Sequence, residues 1–313
     1  MLGYIARRLL ATIPVMTVVA VVVFMMLRLT TGDPAAIIAG DSATSQDVAE
    51  IRTKLGLDRP LVQQFAIWVS NIARGDLGES FFFKKQVTAL ILERIEPTLA
   101  LATCTIVLAV GMAVPLGVLA AWRRGTWVDR AVMGFSVLGF SVPVFVIGYA
   151  LIYLFAIHLS WLPVQGYQRL SEGFLGFLER LILPSVTLAV IYVALIARIT
   201  RASVLEVLNA DHVRTARAKG LGELAVLARH VLRNAAVPIV TVIGIGVALL
   251  IGGVVVTESV YAIPGLGRLI VDAVLARDYP TVQAVILLFS VVYVGINLLV
   301  DLTYTFLDPR IRY

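Results

Sequence analysis

The sequence predicts an all-α polytopic membrane protein with six spanning helices and both termini in the cytoplasm. Three observations carry that expectation. Of 313 residues, 59% are hydrophobic and 15% charged, with a mean hydropathy of +0.93; soluble domains carry about 45–50% apolar and about 25% charged residues. A water-soluble chain could not hide this much apolar surface, which excludes a soluble enzyme. Six stretches lack Asp, Glu, Lys and Arg: residues 9–27, 98–121, 131–157, 181–197, 235–257 and 281–300. Each reaches the roughly 17–25 residues that a spanning helix requires. Finally, the short segments facing one side hold fourteen Lys and Arg residues and those facing the other hold four. The richer side is the cytoplasm by the positive-inside rule.

The first span follows Arg7 and Arg8, as a signal peptide would. Its apolar core, Leu9 to Leu27, is longer than a signal peptide's hydrophobic region of about 7–15 residues, and no A-x-A cleavage site follows. It is read as an uncleaved helix. Residues 31–97 then form a folded extracytoplasmic segment, so that 1–97 make one region and 98–313 a five-helix core containing a long cytoplasmic loop, 198–234. Within the segment, Thr44-Ser45 can cap a helix bearing Val48, Ile51 and Leu55 and ending at Gly56. Pro60 opens a second helix with Leu61, Phe65, Trp68 and Ile72 on one face, stopped by Gly75. These helices suit either a place on the membrane surface or a lid for an external partner. Pro14, Pro115, Pro143, Pro184 and Pro238 lie in or near spans and are candidate kinks.

The chemistry that the chain lacks narrows its function. The single cysteine, Cys104, excludes an intrachain disulfide. His158, His212 and His230 share no metal-ligand spacing, and no nucleophile, redox or nucleotide-binding motif occurs. No catalytic or metal-binding residue and no cofactor of its own is expected. The net charge of +6 and pI of about 9.6 point to anionic lipid beside cytoplasmic loops, with no nucleic-acid partner. No span carries an acid or base able to relay an ion, which disfavours an ion-coupled secondary transporter. Glu258 and Asp301 fall at span ends and read as interfacial anchors. Energy for uphill transport would therefore come from a partner.

The cytoplasmic loop offers a place for one. A helix runs to Lys219 with cations in its last turn and Gly220 at the C′ position, and Gly222 can cap the next helix with Leu221 and Val226 as a staple. The small side chains of Ala216 and Ala218 would let this elbow enter a groove. In span five, Gly244, Ala248 and Gly252 recur every four residues, a stripe suited to close packing within the chain, to lining a pathway or to contact with a partner subunit.

The run from Asp211 through Arg214, Thr215, Ala216, Arg217, Ala218, Lys219 and Gly220 to Leu221, followed by Arg229-His230 and Pro238, resembles the "EAA" loop of permease subunits of bacterial ABC importers. The likeness extends along the whole chain. It includes Gly32-Asp33-Pro34, Leu55 to Leu61, Arg74 to Gly78, Tyr261 to Arg268, Ala276 to Pro280 and Leu307 to Arg312. Where the general loop has Glu-Ala-Ala, this chain has Arg214-Thr215-Ala216, the form of the dipeptide/oligopeptide/nickel branch, of dipeptide permease B type. The resemblance implies a type I importer permease fold in the bacterial inner membrane. It also implies a homologous second permease, two cytoplasmic ATPases that use ATP and Mg, and an extracytoplasmic binding protein delivering di- or oligopeptides. Glutathione, nickel complexes and oligosaccharides are alternative cargoes. Asp211 to Leu221 would then be the coupling loop seated in an ATPase.

Overall fold

The computed structural model describes residues 2–29, 35–36, 44–54 and 56–307. Eleven helices account for most of them: α1 Leu2–Leu29, α2 Ser45–Lys54, α3 Leu61–Ala73, α4 Val87–Trp122, α5 Trp127–Ser141, α6 Val144–His158, α7 Phe174–Leu208, α8 Asp211–Ala218, α9 Glu223–Val260, α10 Leu266–Leu275 and α11 Tyr279–Leu307. Helices α1, α4, α7, α9 and α11 are each long and apolar enough to cross a membrane. They contain five of the expected spans. Gly32-Asp33-Pro34, Leu55 and residues 308–312 lie outside the described residues.

The third expected span is two helices. α5 and α6 meet at 105°. Val142 adopts an extended conformation (φ −94°, ψ 126°) and Pro143 caps α6. A residue before proline is pushed away from helical angles by the pyrrolidine ring, and proline cannot donate to the preceding turn. Pro14, Pro97, Pro115, Pro184 and Pro238 instead sit inside continuous helices. α6 finishes as a π-helix, Ile152–His158, and α9 carries a second one, Val226–Val231.

The chain divides into two compact units. One comprises residues 1–94 and 269–294. Here α2 ends near Gly56 (φ +64°), and α3 starts after Pro60 and ends before Gly75 (φ +83°), as the glycine and proline positions predicted. Phe65 and Trp68 of α3 pack their rings on Phe24 of α1. The N-terminal and C-terminal pieces are joined through Asp278, which is 1% exposed. Thr281 donates to its carboxylate at 2.6 Å, the Phe81 N–H donates at 3.1 Å, and the Ser80 hydroxyl donates as well. Gln283 Nε2 donates to the carbonyl of Val23 at 2.9 Å, tying α11 to α1.

The other unit, residues 95–268 and 295–313, is built around α7. Sixteen of the 35 residues of α7 are buried, so it reads as a helix apolar on most sides and enclosed by its neighbours. Glycines let those neighbours approach. A Cβ on Gly117 of α4 would lie 2.7 Å from the Ala197 carbonyl, and one on Gly139 of α5 would lie 3.2 Å from Ala194. Asp129 in the first turn of α5 is fastened to α7 by a two-pronged ion pair with Arg201, whose Nη2 donates at 2.8 Å, and accepts from the Gly125 N–H at 3.0 Å.

Candidate functional site

The loop after α7 folds into a capped elbow. Ala210, extended at ψ 148°, starts α8, and the first-turn acid Asp211 pairs with Arg214 at 3.0 Å. Negative charge there complements the unpaired N–H groups of the helix start. At the other end, the Gly220 N–H donates to Arg217 O at 2.9 Å and the Leu221 N–H to Ala216 O at 3.3 Å. These two bonds, with Gly220 at φ +81°, form a Schellman motif. Gly222, also extended, then starts α9. Arg217 closes the elbow from outside, with Nε and Nη2 donating to the Glu223 carboxylate at 2.8 and 3.2 Å. Glu223 is thus part of the elbow's clasp, in an ion pair open to solvent.

The elbow rests on its own small core. Val213, Ala216, Val226, Leu227 and Val231 pack with Ala121, Val204, Ala235 and Ile239, and Leu221 lies against them. Asp211, His212, Arg214, Thr215, Arg217, Ala218, Lys219 and Gly220 are exposed. The expectation that Ala216 enters a partner's groove is therefore corrected: its side chain is 5% exposed and faces inward, and only Ala218 of the two alanines faces out. At a helical spacing of three, Val213 and Ala216 share the inner face. Sequence reasoning also passed over Leu224, a large apolar side chain left 78% exposed beside the elbow.

Within this chain, the stripe in α9 does not pack as one surface. A Cβ on Gly244 would overlap Val300 of α11, Ala248 is buried, and Gly252 is exposed with nothing within 4 Å of a Cβ. The close approach to α7 uses other glycines: a Cβ on Gly253 would lie 2.9 Å from Leu188, and one on Gly246 would lie 3.4 Å from Tyr192.

At the far end of α9, Glu258 is fully buried, correcting its reading as an interfacial anchor. The chain turns back over it. Thr98 Oγ1 donates to Glu258 Oε1 at 2.6 Å and the Arg268 N–H to Oε2 at 3.0 Å, while the Leu266 N–H donates to Thr98 Oγ1 at 2.8 Å. Gly265 lies so close that a Cβ would overlap the carboxylate. The neighbouring Tyr261 hydroxyl bonds Thr187 Oγ1 at 2.7 Å, and its carbonyl accepts from the Gly166 N–H at 3.0 Å. In the same rim, Glu96 accepts from the Tyr167 hydroxyl at 3.2 Å and from the Leu170 N–H at 3.3 Å. Burial and then the Glu96 charge push the Tyr167 phenol well above its ordinary pKa, so it stays a donor. The motif from Tyr261 to Arg268 is thus a turn folded around one carboxylate. Among the described residues, no three His, Cys, Asp or Glu side chains converge to hold a metal ion.

Comparison with known proteins places these features. The probable peptide ABC transporter permease protein y4tP of Sinorhizobium fredii is 57% identical over 310 residues, covering 99% of both chains. A putative peptide transport system permease protein of Brucella abortus and the glutathione transport system permease protein GsiC of Escherichia coli are each 44% identical over 313 residues, covering 100% of both chains. In structure, the chain resembles a chain of the MetNI methionine ABC transporter in an inward-facing conformation, with a TM-score of 0.58 and 19% identity over 70% of this chain and 96% of that one. Residues 113–313 match the family described as "Binding-protein-dependent transport system inner membrane component", and residues 1–102 match its N-terminal counterpart. The chain belongs to that family: it is the multi-pass inner-membrane permease component of a bacterial binding-protein-dependent transport system.

Proposed function

We propose that this permease is one half of an ATP-driven importer of di- or oligopeptides, and that its α8 elbow couples it to a cytoplasmic ATPase. The observation that carries the coupling role is the Schellman-capped, ion-paired elbow standing on an apolar core. Its outer face presents Arg214, Thr215, Ala218, Lys219 and Leu224. Such an elbow transmits rotation to α7 and α9, where a flexible loop would absorb it. The second half is a homologous permease, each half seats in one ATPase, and ATP and Mg are used by those subunits alone. A binding protein delivers the solute. Peptide cargo is supported by the names of the relatives, and glutathione is a peptide in the same chemical sense.

Purified permease pair, ATPases and binding protein, reconstituted together in vesicles, should accumulate a labelled peptide only with all parts and ATP present. Uptake by this chain alone, driven by an ion gradient, would replace the proposal with a secondary carrier. The fourteen-to-four excess of basic residues orients the complex with both termini and the elbow in the cytoplasm. In a Cys104→Ala background, Arg74→Cys should react with an impermeant thiol reagent in spheroplasts and Lys219→Cys only after the membrane is opened. The reverse pattern would invert the topology.

A further inference from the structure

α3 is amphipathic in an unusual way. At about 100° per residue, Trp68, Leu61, Ile72, Phe65, Val69, Val62, Ala73 and Ala66 occupy a continuous apolar arc of roughly 160°. Gln63, Ser70, Asn71 and Gln64 occupy the opposite side, interrupted by Ile67. Among the described residues, only part of the apolar arc is packed against a neighbour. Phe65 and Trp68 pack on Phe24 with ring centroids 5.1 and 5.6 Å away, and Phe24 is 3% exposed. Of the other six, Val62, Ala66, Val69 and Ala73 form an exposed ridge on one side, with Val62 80% exposed.

The position of this ridge identifies what covers it. Phe24 lies in the last turns of the membrane-crossing segment Arg7–Met26. Below it, α1 leaves Leu10, Val18 and Val22 exposed on the part of the helix that crosses the bilayer. The α3 ridge therefore lies beside the end of a span whose side chains are largely exposed and apolar, a surface suited to lipid. From Leu61 to Ala73 the helix carries no charge, while Arg59 and Arg74 stand just outside its ends. A surface meant for a water-soluble partner would carry a polar, charged rim. A helix with an apolar ridge, an opposing face of Gln63, Ser70 and Asn71, and a tryptophan at the end of a span fits the region where acyl chains meet headgroups, at which aromatic rings concentrate.

We propose that α3 is an interfacial helix lying in the bilayer surface at the end of α1, with Val62, Ala66, Val69 and Ala73 against acyl chains and Gln63, Ser70 and Asn71 toward the headgroups. This assigns lipid as the partner of a face that the transport role leaves unexplained, and it holds whichever solute is carried. The full complex is reconstituted in vesicles of phosphatidylethanolamine and phosphatidylglycerol, with nitroxides on Val62→Cys, Val69→Cys or Gln63→Cys in the Cys104→Ala background. At positions 62 and 69, collisions with dissolved oxygen should exceed those with a water-soluble nickel chelate several-fold; at position 63 the order should reverse. If the chelate reaches 62 and 69 as easily as 63, the ridge is in water and the proposal is wrong. Low access to both reagents at 62 and 69 would mean that protein covers the ridge, which also overturns it. Two labelled ridge positions keep the result readable should one variant fold poorly.

Discussion

A valine at position 220 is expected to cut ATP-driven peptide uptake by about 5–30-fold while the chain still reaches the membrane. Gly220 sits at φ +81° with no atom within 4 Å of where a Cβ would be, so steric collision is not the cause. The cost is in the backbone: a residue with a Cβ in this left-handed conformation loses about 1–2 kcal/mol, which corresponds to a population ratio of about 5–30. The strain is relieved by opening the two Schellman bonds, which tilts α8 against α9 and misplaces the face offered to the ATPase. Severity should follow backbone preference, with valine worst, alanine intermediate and asparagine, which tolerates this region, mildest. Uptake and recovery of ATPase on the purified permease should fall together in that order. Full uptake and normal ATPase recovery in Gly220→Val would remove the elbow from the coupling mechanism. Ala216→Asp is no substitute for this experiment. Its carboxylate would be buried in the elbow's own core, lowering the amount of folded chain before any partner is met.

Gly265→Ala should have the largest effect on folding. The new methyl would occupy the space of the Glu258 carboxylate, so either the turn opens or the carboxylate leaves Thr98 and the Arg268 N–H. A buried carboxyl deprived of its hydrogen-bond partners costs about 1–3 kcal/mol. The expected result is a sharp drop in the yield of detergent-purified chain and in its unfolding temperature. Glu258→Ala should itself destabilise, yet it should soften the effect of Gly265→Ala by making room for the methyl. The paired substitution tests this: strictly additive losses would show that the two residues are not coupled.

Much of this architecture is legible in the sequence where the cause is local. Gly56, Pro60, Gly75 and Gly220 mark helix ends because proline and left-handed glycine act on their own backbone. Charge-free runs mark spans for the same reason. The break at Val142-Pro143 was visible as a candidate kink, but nothing local separates Pro143 from Pro115 or Pro184, which their helices absorb. Roles that depend on distant residues were missed. Glu258 looks like a span-end acid until Thr98, 160 residues earlier, donates to it. The one available hint was a carboxylate shortly before Gly265 and Gly267, two positions without side chains. Ala216 likewise reads as a docking residue until Val226 and Val231 close over the inner face of α8.

The clasp at Asp278 also sets a timetable for biosynthesis. Ser80 and its partner Asp278 are 198 residues apart. At synthesis rates of about 5–20 residues per second, roughly 10–40 s pass between their emergence. During that interval, the first ninety-odd residues are already at the membrane, and the segment that completes their unit has not been made. Ser80 and Phe81 must wait with their donors unmatched, so the early-born part of the permease reaches its final form only when nearly the whole chain has been translated.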